Sequence, residues 1–188
     1  MLDQFIKIAR DFAYSEAEKT NMPPQMHTDF VVKKGIELAN KLGANIEVVE
    51  ASMLLMDCLL GQASKEGKVK EHAQMALDKT NELLEKSDLN DDIKENIRHC
   101  VLEHHSSDKF YSLESEICCN ADCYRFASVK GFAIAFRYIR DMSFSDLITL
   151  LGNKFEEKKG ALSLSICKDE LEPEYLIISE WLNHLRNI

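Results

Sequence analysis

The chain has 188 residues, of which 45% are hydrophobic and 29% charged, and its formal net charge is −9. This composition suits one folded domain, and the seven glycines and three prolines are too few for collagen-like or repetitive all-β architectures. A chain this acidic lacks the positive surface of proteins that bind nucleic-acid polymers or anionic membranes, so we expect neither as a partner.

The spacing of apolar residues predicts an all-α fold. Pro23 and Pro24 separate the first two helices, and Gly43 ends the second. Residues 62–67 predict a loop, and residues 163–168 predict a loop or a short extended piece. The predicted helices cover residues 2–20, 25–42, 46–60, 69–86, 91–105, 113–126 with a continuation or restart over 129–140, 144–158 and 173–185.

The six cysteines indicate a reducing environment. They lack the Cys-x-x-Cys spacing of zinc sites, and most lie within apolar helical stripes, where a free thiol acts as a small hydrophobic group. The N-terminus has no basic region followed by an apolar run, and no apolar stretch approaches the ~20 residues that span a bilayer. We therefore expect reduced core thiols in a cytoplasmic protein.

Five ionisable side chains fall on apolar helical faces, where a charged group is costly unless it is paired or binds a metal. Taken singly, such a histidine is typically a satisfied core residue, and such an aspartate is a cap or an ion-pair partner. Taken together, imidazoles and carboxylates from several helices suit a divalent first-row ion in a shared cleft. The five residues are His27, Asp57, His72, His104 and Asp122.

Three other features have simpler interpretations. Residues 88–92 are acidic but lack the glycine and closing glutamate of a calcium loop, so they predict a helix cap and first turn. The run Glu156-Glu157-Lys158-Lys159 predicts a solvated helix end. Trp181 predicts a core position, with packing against a second copy of the chain as the alternative, so a homo-oligomer is left open.

The order of these residues resembles the HD superfamily, which comprises all-α metal-dependent phosphohydrolases named for a His-Asp dyad. The resemblance implies an HD-like core over about 20–140 and a helical extension over about 143–188, within one domain over 1–188. The last matching block, continued through Phe126–Ala135, looks most similar to small bacterial HD hydrolases that cleave nucleotides. The matching pieces are His27, Ala51–Asp57 with Gly61, Glu71-His72, Val101–His105 and Leu113–Asp122.

The chain departs from the family pattern at two places. Met56 stands where the dyad histidine would bind the metal, and a thioether is a poor ligand for a hard divalent ion. After Asp122 the family usually has a basic residue and then another acid, whereas this chain continues Cys123-Tyr124-Arg125-Phe126. We therefore hypothesise an altered metal site, in which His72 or His104 compensates for the missing histidine.

The resemblance implies a metal-dependent phosphohydrolase that acts on a nucleotide or another small phosphoester. Its divalent ion would be Mn, Mg, Ni, Fe or Zn. His104 and His105 would be the catalytic proton-transfer residues, because histidine titrates near neutral pH. Arg125 and Lys130 would bind the substrate phosphate. The implied metal ligands are His27, Asp57, His72 and Asp122.

The main alternative is a catalytically degenerate HD-like module that binds a ligand or a partner without turnover and holds no metal. Met56 favours this alternative, whereas the five retained polar residues favour an enzyme. A third alternative, a di-iron oxygenase of the same superfamily, needs still more ligands and is disfavoured further by the missing histidine. Whether the protein is an enzyme is therefore not decided by the sequence.

Overall fold

The computed structural model describes residues 1–139 and 142–186. These residues form α-helices and one short 3-10 helix, Val69–Glu71, with no strand among them, so the all-α prediction is confirmed. The helices are α1 (Leu2–Thr20), α2 (Gln25–Leu42), α3 (Ile46–Leu55), α4 (Leu60–Lys65), α5 (His72–Glu85), α6 (Asp91–Leu102), α7 (Leu113–Ala127), α8 (Val129–Tyr138), α9 (Phe144–Ala161) and α10 (Ser165–Arg186).

Helix α3 is the centre of the main core. It is apolar on nearly every face and packs against α1, α2, α6 and α7, so a helix with no polar stripe is covered on all sides. It ends at Leu55, five residues earlier than predicted. Hydrogen bonds from Cys58 N to Leu55 O (3.1 Å) and from Leu60 N to Asp57 O (3.0 Å) close tighter turns, and these turns carry Asp57 out of the helix.

The prediction of a loop over residues 62–67 is wrong, because α4 continues to Lys65. Gly61 is an interior residue of α4 and not the end of the preceding helix. A Cβ atom at Gly61 would lie 2.2 Å from Thr20 Oγ1 and 2.7 Å from Met22 O. The missing side chain therefore lets α4 pack directly against the end of α1.

Two helix ends set the position of the polar centre described below. Helix α6 ends at Leu102, three residues earlier than predicted, so His104 and His105 lie in the following bend. Helix α7 stops at Ala127 and α8 restarts after Ser128, whose side chain caps α8 by accepting a hydrogen bond from Gly131 N (3.1 Å). The restart, one of two alternatives left open by the sequence, is the one observed.

The C-terminal helices build a second apolar cluster with α8. Phe132, Leu151, Phe155 and Ile178 are buried there. The prediction of a loop or extended piece over residues 163–168 is wrong from Ser165 onward, where α10 begins. The side chain of Trp181 is 46% exposed, so the prediction of a core position for it is also wrong.

The six cysteines are free and buried, as predicted. Among the helices of the described residues, none combines the length and the apolar character needed to cross a membrane.

Candidate metal centre

A group of ionisable side chains lies buried where the end of α3, the start of α5, the bend after α6, α7 and α9 meet. Asp57 and Asp122 are 5% and 1% exposed, and His104 is fully buried. The five polar residues that the sequence placed on apolar faces are all buried, as predicted. Buried charges at this depth require partners, so each contact in the group bears on function.

One side of the group, here called the imidazole half, contains three histidines and one oxygen of Asp57. A ligand atom from each of Asp57, His72, His104 and His105 lies within 4.8 Å of the others. Asp57 Oδ1 is 3.1 Å from His72 Nε2 and 3.5 Å from His104 Nε2. Ligand bonds of ~2.0–2.2 Å around one ion place neighbouring donor atoms ~3–3.5 Å apart, so this spacing suits a shared ion.

The tautomers of two histidines follow from backbone contacts. His72 Nδ1 donates to Val69 O and His104 Nδ1 donates to Val101 O, both at 2.6 Å, because a carbonyl oxygen can only accept. When neutral, both rings therefore leave Nε2 as an acceptor near Asp57 Oδ1. This is the arrangement by which metal-binding histidines are usually held and oriented. Burial would lower the pKa of His72, but the Asp57 carboxylate outweighs it and raises that pKa above its ordinary value.

The third histidine of the imidazole half, His105, donates a hydrogen bond to His72. Lys158 Nζ donates to His105 Nδ1 (3.0 Å), so His105 carries its proton on Nε2, which lies 2.8 Å from His72 Nε2. Burial and the nearby cationic groups lower the pKa of His105 to about 3, which keeps this ring neutral at pH 7. His105 can satisfy His72, but Asp57 Oδ1 and His104 Nε2 are buried without a hydrogen-bond partner.

The unsatisfied atoms make the imidazole half a good fit for a divalent ion. One carboxylate oxygen and two imidazole nitrogens are ligand types suited to first-row divalent metals. Three protein ligands with a position open to water are typical of catalytic ions. The residues that would hold the ion are Asp57, His72 and His104, with His105 beside them.

The other side, here called the cation half, is already neutralised by the chain itself. It comprises Asp57 Oδ2, Asp122, Arg125 and Lys158. Arg125 Nη1 donates to Asp57 Oδ2 and lies 3.5 Å from Asp122 Oδ1, while Lys158 Nζ is 2.6 Å from Asp122 Oδ2. Burial would raise the pKa of both carboxyls. However, Lys158 and Arg125 lower that of Asp122 to about 2, and Arg125 holds that of Asp57 well below its usual range.

Lys158 is a site residue that the sequence analysis missed. The residues beside it, Glu156, Glu157 and Lys159, are exposed, but Lys158 itself is 2% exposed, so the prediction of a solvated helix end is wrong for it. The available signal was helical spacing. Lys158 follows Phe155 by three residues and Leu151 by seven, which places it on the buried stripe of α9.

Several predicted site residues lie outside the imidazole half. His27 Nε2 donates to Gly131 O (3.3 Å), and burial together with Arg125 lowers the pKa of His27 to about 4. Asp122 belongs to the cation half. Lys130 is exposed, with its Nζ 5.1 Å from the centre of the Phe30 ring. Of the four predicted ligands, the structure therefore brings together Asp57 and His72, and it adds His104 and His105 to them.

A cavity of about 540 Å³ opens beside the cation half. His27 and Arg125 form part of its wall, and Arg125 Nε is buried without a hydrogen-bond partner. Its volume lies within the range of pockets that hold small organic ligands. Lys130 does not line it. The apolar part of the wall consists of Met22, Pro23, Pro24, Leu60, Ala135, Tyr138, Ile139 and Met142.

Comparison with known proteins identifies the fold. No protein-family model matches the chain, and no curated protein matches it significantly. Among solved structures, a Lactobacillus plantarum protein has a TM-score of 0.73 at 14% identity, covering 100% of this chain and 98% of its own. A predicted HD superfamily hydrolase from an uncultured Thermotogales bacterium has a TM-score of 0.65 at 16% identity, covering 97% and 89%.

Bacillus subtilis YpgQ in complex with ADP is also similar, with a TM-score of 0.69 at 12% identity, covering 99% of this chain and 93% of YpgQ. Likeness over the whole chain at such low identity shows a shared fold. The chain therefore has the HD-domain fold, and the fold implied by the sequence resemblance is confirmed.

Proposed function

We propose that this HD-fold protein is a metal-dependent phosphohydrolase that acts on a small phosphorylated molecule, with one divalent ion held by Asp57, His72 and His104. The observation that carries the proposal is the convergence of Asp57 Oδ1 and the Nε2 atoms of His72 and His104 at a buried point, where Asp57 Oδ1 and His104 Nε2 have no hydrogen-bond partner. Buried ligand atoms without a partner are costly, and a shared divalent ion would satisfy them.

The chemistry follows from what each side supplies. A divalent ion, when bound there, polarises a phosphoryl oxygen and lowers the pKa of a bound water toward neutrality. His105 holds a hydrogen at Nε2 at the edge of the imidazole half, so its neutral ring could donate a hydrogen bond to a substrate oxygen there. Lys158 fixes that tautomer by donating to His105 Nδ1.

The cavity supports a nucleotide-sized substrate. Its apolar wall, which includes Pro24, Tyr138 and Ile139, suits the flat face of a base, and Arg125 and Lys65 place two cationic side chains along the same wall. The YpgQ structure holds ADP on the same fold, which adds support for a small phosphorylated ligand. The proposal is therefore hydrolysis of a nucleotide or a related phosphoester.

A second candidate, a module that binds a phosphorylated ligand without turnover, is favoured by the cation half. Arg125 and Lys158 already balance both carboxylates, so the centre does not depend on a metal for its net charge. The two candidates differ in what metal does to the folded protein, since only the hydrolase requires an ion in the imidazole half.

The experiment compares thermal unfolding and phosphate release, with and without Mn²⁺, Ni²⁺, Zn²⁺ or EDTA. An ion at 100 times its Kd stabilises the folded state by about 2.7 kcal/mol, which raises the Tm of a chain of this length by roughly 5–10 °C. We expect this rise, together with metal-dependent release of phosphate from nucleotides. A Tm rise with ADP but none with any metal supports the binding module, and no response to either overturns both candidates.

The ligand assignment is tested by a matched pair of substitutions. His104→Gln removes an Nε2 donor from the imidazole half and should abolish the metal-induced rise in Tm. His99→Gln changes a half-buried histidine of α6 that stacks on Tyr111 (4.1 Å between ring centres) and lies outside the group. That control should keep the full rise, and equal behaviour of the two variants would contradict the assignment.

A further inference from the structure

No carboxylate oxygen of the cation half lies clear of a cationic side chain, although Asp122 Oδ1, like Asp57 Oδ1, has no hydrogen-bond partner. Asp57 Oδ2 accepts from Arg125 Nη1, which also faces Asp122 Oδ1 at 3.5 Å, and Asp122 Oδ2 lies 2.6 Å from Lys158 Nζ. Every carboxylate oxygen outside the imidazole half thus faces a cationic side chain. Both cations are buried, at 5% exposure for Arg125 and 2% for Lys158.

The remaining side chains near the cation half do not supply ligands either. The side chain of Met56 is fully buried in the main apolar cluster, and a thioether binds hard divalent ions poorly. His27 donates from Nε2 to Gly131 O and makes an edge contact with Phe126 (6.0 Å between ring centres), and it is not one of the residues whose ligand atoms lie within 4.8 Å of one another. An ion in the cation half would therefore have to compete with Arg125 and Lys158 for both carboxylates.

We infer that Arg125 takes the place of a metal ion in the cation half, so that the centre binds a single divalent ion and binds it only in the imidazole half. This inference rests on the proposed function for the ion itself. Arginine suits the role because its guanidinium stays protonated, and here its Nη1 donates to Asp57 Oδ2 and lies close to Asp122 Oδ1 as well. Arg125 reaches both because it lies one helical turn after Asp122 on α7.

The buried position disfavours displacement of Arg125 by an ion. Moving Arg125 away from Asp57 and Asp122 would break a buried charge pairing, which is costly. Lys158, anchored from α9, holds Asp122 from the opposite side. The substitution of methionine for the dyad histidine is then understandable, since a ligand at residue 56 would have no ion to bind.

The test is the number of ions bound per chain, measured by elemental analysis after equilibration with Mn²⁺ or Zn²⁺, and their affinity, measured by calorimetry. We expect one ion in the wild-type chain. His27→Gln keeps an N–H donor for Gly131 O, so it should fold and should bind the ion with unchanged affinity. The double variant Met56→His with Arg125→Ala restores a ligand and removes the built-in cation, and it should bind two ions.

The possible results separate this inference from the proposed function. Two ions in the wild type, or a loss of affinity of about tenfold or more in His27→Gln, would overturn the inference while leaving a metal-dependent enzyme. No ion in the wild type but one in the double variant would overturn the proposed function and support replacement by Arg125. If the double variant does not fold, Arg125→Lys, which keeps the charge, should still bind one ion, and two ions there would overturn the inference.

Discussion

The imidazole half and the cation half share one residue, Asp57, yet they solve the problem of buried polarity in opposite ways. On one side, Asp57 Oδ1 faces two imidazole nitrogens and has no hydrogen-bond partner. On the other side, Asp57 Oδ2 is paired with Arg125, and Asp122 is paired with Lys158. The proposed ion would supply the positive charge that the first arrangement lacks, whereas in the second the chain supplies that charge itself.

If the proposed ion binds in the imidazole half, charge balance, and not only the presence of a metal-binding residue type, explains why it binds there. Asp122 has the chemistry of a ligand but faces two cationic side chains. His104 sits beyond the end of a helix and has an unsatisfied nitrogen.

The largest effect is expected from Asp57→Asn, which removes the charge that both halves share. Arg125 would lose its main counter-charge in the protein interior, so unfolding in urea should show a loss of about 3–5 kcal/mol. The same variant should lose the metal-induced rise in Tm. Asp11→Asn is the matched control, because the Lys7–Asp11 pair is exposed, with side chains 75% and 65% accessible. It should change stability by less than about 1 kcal/mol, and similar losses in the two variants would contradict the buried pairing.

The next effect separates the cation half from an ordinary surface ion pair on the same helix. Lys158→Met keeps the length of the side chain but leaves Asp122 with Arg125 alone, and we expect a loss of about 3 kcal/mol. Lys154→Met, one turn earlier, breaks a half-exposed pair with Glu157 (2.8 Å) and should cost less than about 1 kcal/mol. Urea unfolding of both variants measures the difference. Equal losses of stability would show that Lys158 behaves as a solvated surface residue and not as a buried ion-pair partner.

Much of the helical framework could be predicted from the sequence, because it depends on local signals. Gly43 ends α2 with φ +74°, and the helix boundaries of α1 and α2 follow from apolar spacing and prolines. The sequence does not predict that α3 ends at Leu55 or that α6 ends at Leu102, because those ends depend on tertiary contacts. The predicted helix start at Pro173 is wrong, because Pro173 lies inside α10, which begins at Ser165.

The sequence predicts most of the buried polar residues of the site, but it does not predict which of them form ion pairs with one another. A polar residue on an apolar face is a signal that the sequence carries, and all five such residues are buried. Which cation meets which carboxylate depends on how α7 and α9 pack, which the sequence does not state. The helical spacing of Lys158 from Phe155 and Leu151 indicates a buried position. The charged residues on both sides of Lys158 instead suggested a solvated helix end.

A smaller effect concerns pH and the environment that Arg125 creates for His27. The folded-state pKa of His27 is about 4, below its ordinary value near 6.5, because the ring is buried beside Arg125. As the pH falls, His27 is protonated in the unfolded chain before it is protonated in the folded one. The contribution of His27 to the free energy of unfolding is therefore full above pH 6.5 and is lost progressively down to pH 4.

His27→Gln should therefore reduce the loss of stability between pH 7 and pH 4.5 by about 2 kcal/mol. Urea unfolding of both proteins in EDTA at the two pH values measures the difference and keeps metal binding out of the comparison. An identical pH dependence would show that the His27 ring is free to take up a proton in the folded protein.

The smallest effect is expected at Lys130, which the sequence analysis assigned to the substrate phosphate. Its side chain is exposed over Phe30 and belongs to neither half of the centre. Lys130→Ala should cost at most about 1 kcal/mol of stability, the value of an exposed cation–π contact, and should leave ADP affinity unchanged in calorimetry. Lys65→Ala, which alters the cavity wall, should weaken ADP binding. The reverse order would place the phosphate at the start of α8, away from both Arg125 and the imidazole half.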